Sequence, residues 1–319
     1  MEKIRLDQFL VLRHPHYSRT RIQELIEEGF VLVDGQKRKP SFLLHGGEDI
    51  QMKRRAPEIP KAVPEDLPLN ILHEDEDLIV INKAAGMVVH PAPGNFNGTV
   101  VNAVLHYLEI PSPSLGGVRT GKAESFAANS GEIRPGIVHR LDKGTSGVMV
   151  IAKNDFTLDQ LSKQFKNRSV QKLYLALVFG SFPQKRGAII KAIGRDTQHF
   201  RKFSSRTKKA REAVTHFEIE KQYEALTLLK LKPETGRTHQ IRVHLSEFHH
   251  PIVGDTLYGA KGFISSIKDE RIAEALSTLT RPLLHAAELH LTHPTSQKRL
   301  SFSAPLPNDF LSLLNFLGE

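Results

Sequence analysis

His139-Arg140-Leu141-Asp142-Lys143-Gly144-Thr145-Ser146-Gly147 runs directly into Val148-Met149-Val150-Ile151-Ala152. An uninterrupted apolar run of this length, rich in β-branched residues and preceded by Thr-Ser-Gly, predicts a buried strand. The nonapeptide is then the loop that leads into it. A loop fixed by a rigid strand can hold a reactive side chain in a pocket without burying unpaired backbone, so Asp142 is a candidate functional carboxylate. Taken alone, an Asp before Lys-Gly-Thr is more often a turn or capping residue whose carboxylate bonds nearby backbone.

Working outward, Leu78-Ile79-Val80-Ile81-Asn82-Lys83 predicts another buried strand, followed by an irregular loop from Gly86 to Gly94. Strands are also predicted at Leu173 to Phe179, Ala225 to Lys232 and His239 to Leu245, and helices at Val100 to Tyr107, Thr157 to Phe165 and Ile272 to Leu276. Runs of strands with few helices between them point to an α+β fold, with a mainly antiparallel or mixed central sheet flanked by helices. Upstream, residues 1–55 read as a small α+β unit. Leu6, Phe9 and Leu10 recur at helical spacing; after a turn at Pro15, Ser18 caps a second helix whose buried face is Ile22, Leu25 and Ile26. Gly29 ends it, and Phe30 to Val33 with Asp34-Gly35 predicts a strand and tight turn. Pro57, Pro60, Pro64 and Pro68 make residues 56–68 an extended connector, leaving residues 69–319 as the large domain.

The chain has 319 residues, no cysteine and a formal charge of +9. Disulfides, thiolate nucleophiles and cysteine-ligated metals are thereby excluded. Apolar runs stay well short of the ~18 residues a membrane span requires, and the charged N-terminus is unlike a secretory signal; the cytoplasm is the default compartment, and a monomer is the expected state. Between Gln160 and Ala210 there are 13 Lys or Arg and one acidic residue, Asp196, so that this window carries +12. Its charges are interleaved with Phe165, Tyr174, Phe200 and Phe203. Such a surface suits phosphates and unpaired bases, although a charge run is also the ordinary composition of a solvated face.

Several near-matches to other catalytic motifs fail. Gly116 to Ala123 has phosphate-loop spacing, but Ala123 replaces the hydroxyl that would hold magnesium and a Pro-Ser-Pro-Ser run, not a strand, precedes it. His139-Arg140-Leu141-Asp142 places its Asp one residue late for a kinase loop, and no Asp-Phe-Gly follows. No His-Glu-x-x-His occurs, and His239 and His244, five apart, would lie on opposite faces of the predicted strand, so no metal is expected. Without a Gly-x-Ser-x-Gly elbow, Ser146 reads as a loop hydrogen-bonder.

The nonapeptide resembles the signature of RluA-type pseudouridine synthases, which isomerise uridine in ribosomal and transfer RNA. Leu78 to Pro91 is similar to the family's first motif, with Ala84 where proline is usual; Lys172-Leu173-Tyr174, Gly236 to His244, Pro251 to Gly259 and Leu284-His285-Ala286 continue the likeness in order. The N-terminal unit resembles the small RNA-binding module first described in a small-subunit ribosomal protein. The resemblance implies that Arg19, Arg21, Lys37, Arg38 and Lys39 face phosphates. It implies a cofactor-free isomerase with large-subunit ribosomal RNA, free or in an assembling particle, as partner. Transfer RNA remains the alternative substrate, and a non-catalytic RNA-binding or ribosome-assembly protein the alternative class.

The chemistry implied by that likeness is consistent with the residues. Moving uracil from a nitrogen–carbon to a carbon–carbon link needs no redox partner. A carboxylate can start it by attacking the anomeric carbon or by removing the neighbouring ribose proton. Asp142 matches that carboxylate, and Arg242 matches the guanidinium that favours its ionised form. Read as a strand, residues 240–244 put Gln240, Arg242 and His244 on one face. Tyr174 matches the tyrosine that stacks on uracil and assists loss of the carbon-5 proton; otherwise it is a core aromatic. Arg140, with His139, matches the group that occupies the space left by an extruded base; a phosphate clamp is the alternative for Arg140.

Overall fold

A computed structural model describes residues 4–14, 17, 19–52, 62–91, 95–108, 136–199, 201–207 and 209–318. The predicted turn at Pro15, the cap at Ser18, the side chain of Arg21, Pro57, Pro60, the 116–123 stretch, Phe200 and Lys208 lie outside them.

The N-terminal unit comprises β1 (Ile4–Arg5), α1 (Leu6–Arg13), α2 (Arg19–Glu27), β2 (Val31–Val33), β3 (Gln36–Lys37), β4 (Leu43–Leu44) and β5 (Ile50–Met52). Leu6, Leu10, Ile22, Leu25, Ile26, Val31, Val33 and Leu44 close one apolar core, the face that helical spacing predicts. Asp34 and Gly35 both take positive φ, 50° and 73°, which suits the two-residue turn joining β2 to β3. Asp7 is fully buried beside this core. Burial opposes its ionisation, but hydrogen bonds from Arg5, Gln23 and Arg19 prevail and hold its carboxyl down at about 2.

The large domain continues with β6 (Ile71–Glu74), β7 (Leu78–Lys83), α3 (Val100–Tyr107), β8 (Ser146–Ala152), α4 (Asp155–Lys166), β9 (Gln171–Phe179), β10 (Arg186–Ile190), β11 (Gly194–Arg195), β12 (Phe203–Ser204), β13 (Val214–Gln222) and β14 (Leu226–Pro233). Then follow α5 (Gln240–Glu247), α6 (Lys261–Ile264), α7 (Glu270–Ser277), β15 (Leu284–Thr292), β16 (Arg299–Ser303) and α8 (Asn308–Phe316). One mixed sheet runs β10-β13-β14-β9-β15-β8-β7-β6, with β16 also on β15. All its pairings are antiparallel except β8 on β15. Apolar clusters lie under both wings of the sheet, with Tyr174 bordering two of them. The α+β class follows from this order.

Two sequence expectations change. His239 to Leu245 is not a strand: Gln240–Glu247 is a helix, and His239 caps it with left-handed backbone at φ 57°. Gln240 and His244 therefore share one face, where both bond to Thr215, while Arg242 points elsewhere. Residues 62–66, read as connector, are docked on α3. Ala62 packs on Val101 and Leu105, Asn102 donates to the Val63 carbonyl, and the Glu65 amide donates to the Asn102 carbonyl.

The parallel contact of β8 with β15 covers only two residue pairs, His285 with Ser146 and Ala286 with Gly147. It requires a glycine. Gly147 has φ 116°, and a Cβ there would stand 2.1 Å from the Ala286 carbonyl oxygen. Gly147→Ala is expected to lower the unfolding free energy by at least about 2 kcal/mol, because neither backbone can withdraw without breaking sheet hydrogen bonds. Urea denaturation measures this loss.

Candidate active site

The loop before β8 is fixed at successive backbone atoms. Thr145 N–H closes a turn on the Asp142 carbonyl (3.0 Å), Gly86 N–H donates to the Lys143 carbonyl (2.7 Å), and Arg281 Nη1 donates to the Gly144 carbonyl (3.2 Å). Arg281 is itself held by both oxygens of Asp309 in α8. Ser146 Oγ lies 2.9 Å from His285 Nδ1, whose Nε2 faces the Ala304 carbonyl; with Nε2–H donating there, Ser146 donates to Nδ1. This is the hydrogen-bonding role read for Ser146 from the sequence.

On this base Asp142 enters a cavity of about 620 Å³. Its Oδ2 accepts from Arg242 Nη1 at 3.1 Å. Oδ1 has no hydrogen-bond partner among the described residues. Arg242 is in turn gripped by Asp255, with Nε to Oδ2 at 2.7 Å and Nη2 to Oδ1 at 2.9 Å, and its guanidinium lies 4.9 Å from the centre of the Tyr258 ring. Burial disfavours the cation, but the hydrogen bonds and charge of Asp255, then the charge of Asp142, outweigh it and raise the pKa of Arg242 above its ordinary value. Arg242 is thus a permanent charge with a fixed direction.

Tyr174 stands on β9 between its register partners Leu231 and Ala286 and lines the same cavity. Burial first, then the negative charge of Asp142, raises its phenol above the usual range, so it is neutral at physiological pH. Arg140 is exposed at the cavity mouth. His139 is occupied within the protein: its Nε2 accepts from the Val150 amide at 3.0 Å and its ring stacks on Phe165 at 4.7 Å. Burial, with the charge of Lys172 adding to it, pushes this imidazole down to about 3. Its geometry is that of a brace for the loop, which differs from the base-extruding or RNA-contacting role set out for it above.

The N-terminal candidates divide. Arg19 directs Nε and Nη2 at Asp7, 3.1 and 3.0 Å away, so its guanidinium is engaged inside the module. Lys37 and Lys39 are exposed, and with Arg5 and Arg38 they border a hollow; Arg38 lies over Phe42 at 5.0 Å.

Four residues of the large site were not singled out from sequence. Asp255 and Tyr258 lie in the Pro251–Gly259 motif, and His239 had been considered only as a metal ligand. The fourth, Lys83, is 1% exposed and donates to the Ala84 and Met87 carbonyls at 2.8 and 2.9 Å. Burial drives its ammonium down to about 7, against the favourable charge of Asp142. Asp255 was hidden because its partner is thirteen residues away in sequence and no charge pattern announces it.

Asp255→Ala is expected to destabilise the protein by about 3 kcal/mol, since it leaves a buried guanidinium with a single partner. Asp142→Ala removes one hydrogen bond and is expected to cost clearly less. Urea denaturation of the two variants side by side tests the difference.

Comparison with known proteins accords with this geometry. Residues 77–247 match the family model described as RNA pseudouridylate synthase, and residues 4–50 match the S4 domain. An RNA pseudouridine synthase of Aquifex aeolicus is 42% identical over all of this chain and 95% of its own length. The ribosomal large subunit pseudouridine synthase D of Xanthomonas campestris is 38% identical over 99% of this chain and 89% of its own. The solved structure of human RNA pseudouridylate synthase domain containing 4 superposes with a TM-score of 0.58 at 28% identity, covering 78% of this chain and 93% of that one. Matches of that extent, together with a carboxylate and guanidinium converging on one cavity, establish this chain as an RNA pseudouridine synthase, an isomerase of the RNA pseudouridylate synthase family with an S4 domain at its N-terminal end.

Proposed function

We propose that this isomerase modifies uridines of large-subunit ribosomal RNA and that Asp142 is its essential residue. The observation that carries the role of Asp142 is its asymmetric holding: Oδ2 is fixed by Arg242, and Oδ1 is left for the reacting nucleotide. An ionised carboxylate so placed either bonds to the anomeric carbon as the nitrogen–carbon link breaks or takes the adjacent ribose proton. In both routes the departing uracil carries the electron pair of the broken bond. The ring turns and carbon 5 bonds to the anomeric carbon, as the bond to Asp142 breaks in the first route or as the ribose carbon regains its proton in the second; the carbon-5 proton then leaves while the freed nitrogen takes one up. The total composition is unchanged throughout.

Tyr174, neutral and beside Asp142, offers its ring for stacking during that turn and its oxygen for the final proton transfer. Arg140 at the mouth offsets part of the roughly few kcal/mol needed to extrude the base. Lys37, Arg38 and Lys39 of the S4 domain supply phosphate contacts at a second point. Large-subunit RNA is favoured because relatives from Xanthomonas campestris and Pseudomonas aeruginosa, 38% and 36% identical over 99% of this chain, bear the name ribosomal large subunit pseudouridine synthase D.

Asp142→Asn is expected to keep RNA affinity within about threefold while pseudouridine formation falls on the order of 10³-fold or more. A variant that retains turnover removes Asp142 from the reaction. Mapping pseudouridines in ribosomal and transfer RNA from cells with and without the protein tests the substrate. Loss confined to transfer RNA would reassign it.

A further inference from the structure

Asp142 has a second polar neighbour that the reaction outlined above does not use. His239 Nε2 lies 3.9 Å from Asp142 Oδ2, the oxygen that Arg242 also approaches. The ring cannot choose its orientation freely. Its Nδ1 is 2.8 Å from the Tyr258 hydroxyl, and that hydroxyl accepts from the Phe203 backbone N–H at 2.9 Å.

Counting protons along this line fixes the tautomer. A backbone N–H always donates, so the Tyr258 oxygen accepts from Phe203 and retains one proton of its own to place. Tyr258 is 8% exposed, and His239 Nδ1 is the acceptor that the described residues offer it. Nδ1 is therefore bare, and the imidazole proton sits on Nε2, the nitrogen facing Asp142. The opposite tautomer would leave two protons between Nδ1 and the phenol oxygen and orphan one of them. Burial favours the neutral form of both groups. It lowers the pKa of His239, against the attraction of Asp142, and brings the phenol of Tyr258 up to about 12.

We propose that His239 is a further positioning residue of the site, held as its neutral Nε2–H tautomer by Tyr258 so that this N–H and the Arg242 guanidinium together orient Asp142 through Oδ2. The 3.9 Å gap is longer than a direct hydrogen bond, so the contact closes by a small ring or carboxylate movement or through one water. The line also begins in the basic window between Gln160 and Ala210. Phe203 belongs to the β11–β12 hairpin, its ring meets His239 edge-on at 5.5 Å, and Arg195 lies 5.3 Å from the centre of that ring. Ser205, two residues on, is fastened to α5 through both carboxylate oxygens of Glu247. RNA seated on this hairpin would thus bear on the donor beside Asp142.

The inference rests on Asp142 being the reacting carboxylate, and the experiment separates the two. Nitrogen-15 imidazole spectra of the full-length free protein, assigned with His239→Gln, are expected to show His239 as Nε2–H at pH 7 in wild type and a tautomer mixture in Tyr258→Phe. Pseudouridine formation on ribosomal RNA extracted from cells lacking the protein is expected to lose about tenfold in kcat, with KM within about twofold, in Tyr258→Phe and His239→Leu. His239→Gln, whose Nε2 amide can take the place of the ring N–H, is expected to recover most of kcat. An Nδ1–H signature in wild type, or an unchanged kcat in His239→Leu, overturns the proposal while leaving Asp142 in place. Full activity of Asp142→Asn removes the reading on which it rests, whatever tautomer the spectra show.

Discussion

The guanidinium of Arg242 is the constraint on which the site depends. It is a buried cation shared between two carboxylates of different standing. Asp255 takes two of its nitrogens and is itself 1% exposed, whereas Asp142 takes a third and opens to the cavity. A single arginine between two free carboxylates would distribute itself between them. Here the bidentate grip of Asp255 fixes the plane of the fork, and Nη1 is left with one direction. The position of Asp142 is thereby referred to α5 and the turn after it as well as to its own loop. Sites whose parts come from distant segments hold their geometry only when such cross-bracing is dense.

The loop is braced along its backbone although it lies outside regular structure. The carbonyls of Asp142, Lys143 and Gly144 each accept a hydrogen bond, from the Thr145 amide, the Gly86 amide and Arg281 respectively. Behind them, Lys83 ties the Ala84 to Met87 turn that presents Gly86. Arg281 carries the constraint on to Asp309, so that α8, far along the chain, is mechanically part of the same loop. Little conformational entropy remains to be lost when a nucleotide binds, which is the physical content of preorganisation.

Much of this was legible in the sequence, for reasons that differ by element. Continuous apolar runs such as Leu78–Lys83 and the 148–152 segment announce buried strands whatever their partners. Asp142, Tyr174 and Arg242 were legible because each sits in a motif shared with a family. The 240–245 segment misled because Gln240, Ile241, Arg242, Val243, His244 and Leu245 alternate polar with apolar, the pattern of a half-buried strand. It forms a helix with all six residues buried, because Thr215 and Val214 satisfy Gln240, Thr215 and Lys191 satisfy His244, and the acids satisfy Arg242. Periodicity reports exposure, and it fails where polar residues are buried with partners. Arg19, which the resemblance placed facing phosphates, is exposed, yet its Nε and Nη2 are also engaged by the buried Asp7, a partner twelve residues away that no charge pattern announces.

The basic window between Gln160 and Ala210 carries a further consequence once its ion pairs are counted. Lys163 is paired with Asp159, Arg168 with Glu234 and Lys191 with Glu247, while Lys172 is mostly withdrawn from solvent and brought down to about 8 by burial and the charge of Arg168. A cation already neutralised by its own protein sheds fewer counterions when a phosphate arrives. The logarithm of RNA affinity against the logarithm of salt concentration will therefore fall less steeply than thirteen positive charges suggest. A larger share of the binding is left to stacking, shape and the fixed hydrogen-bonding groups of the cavity.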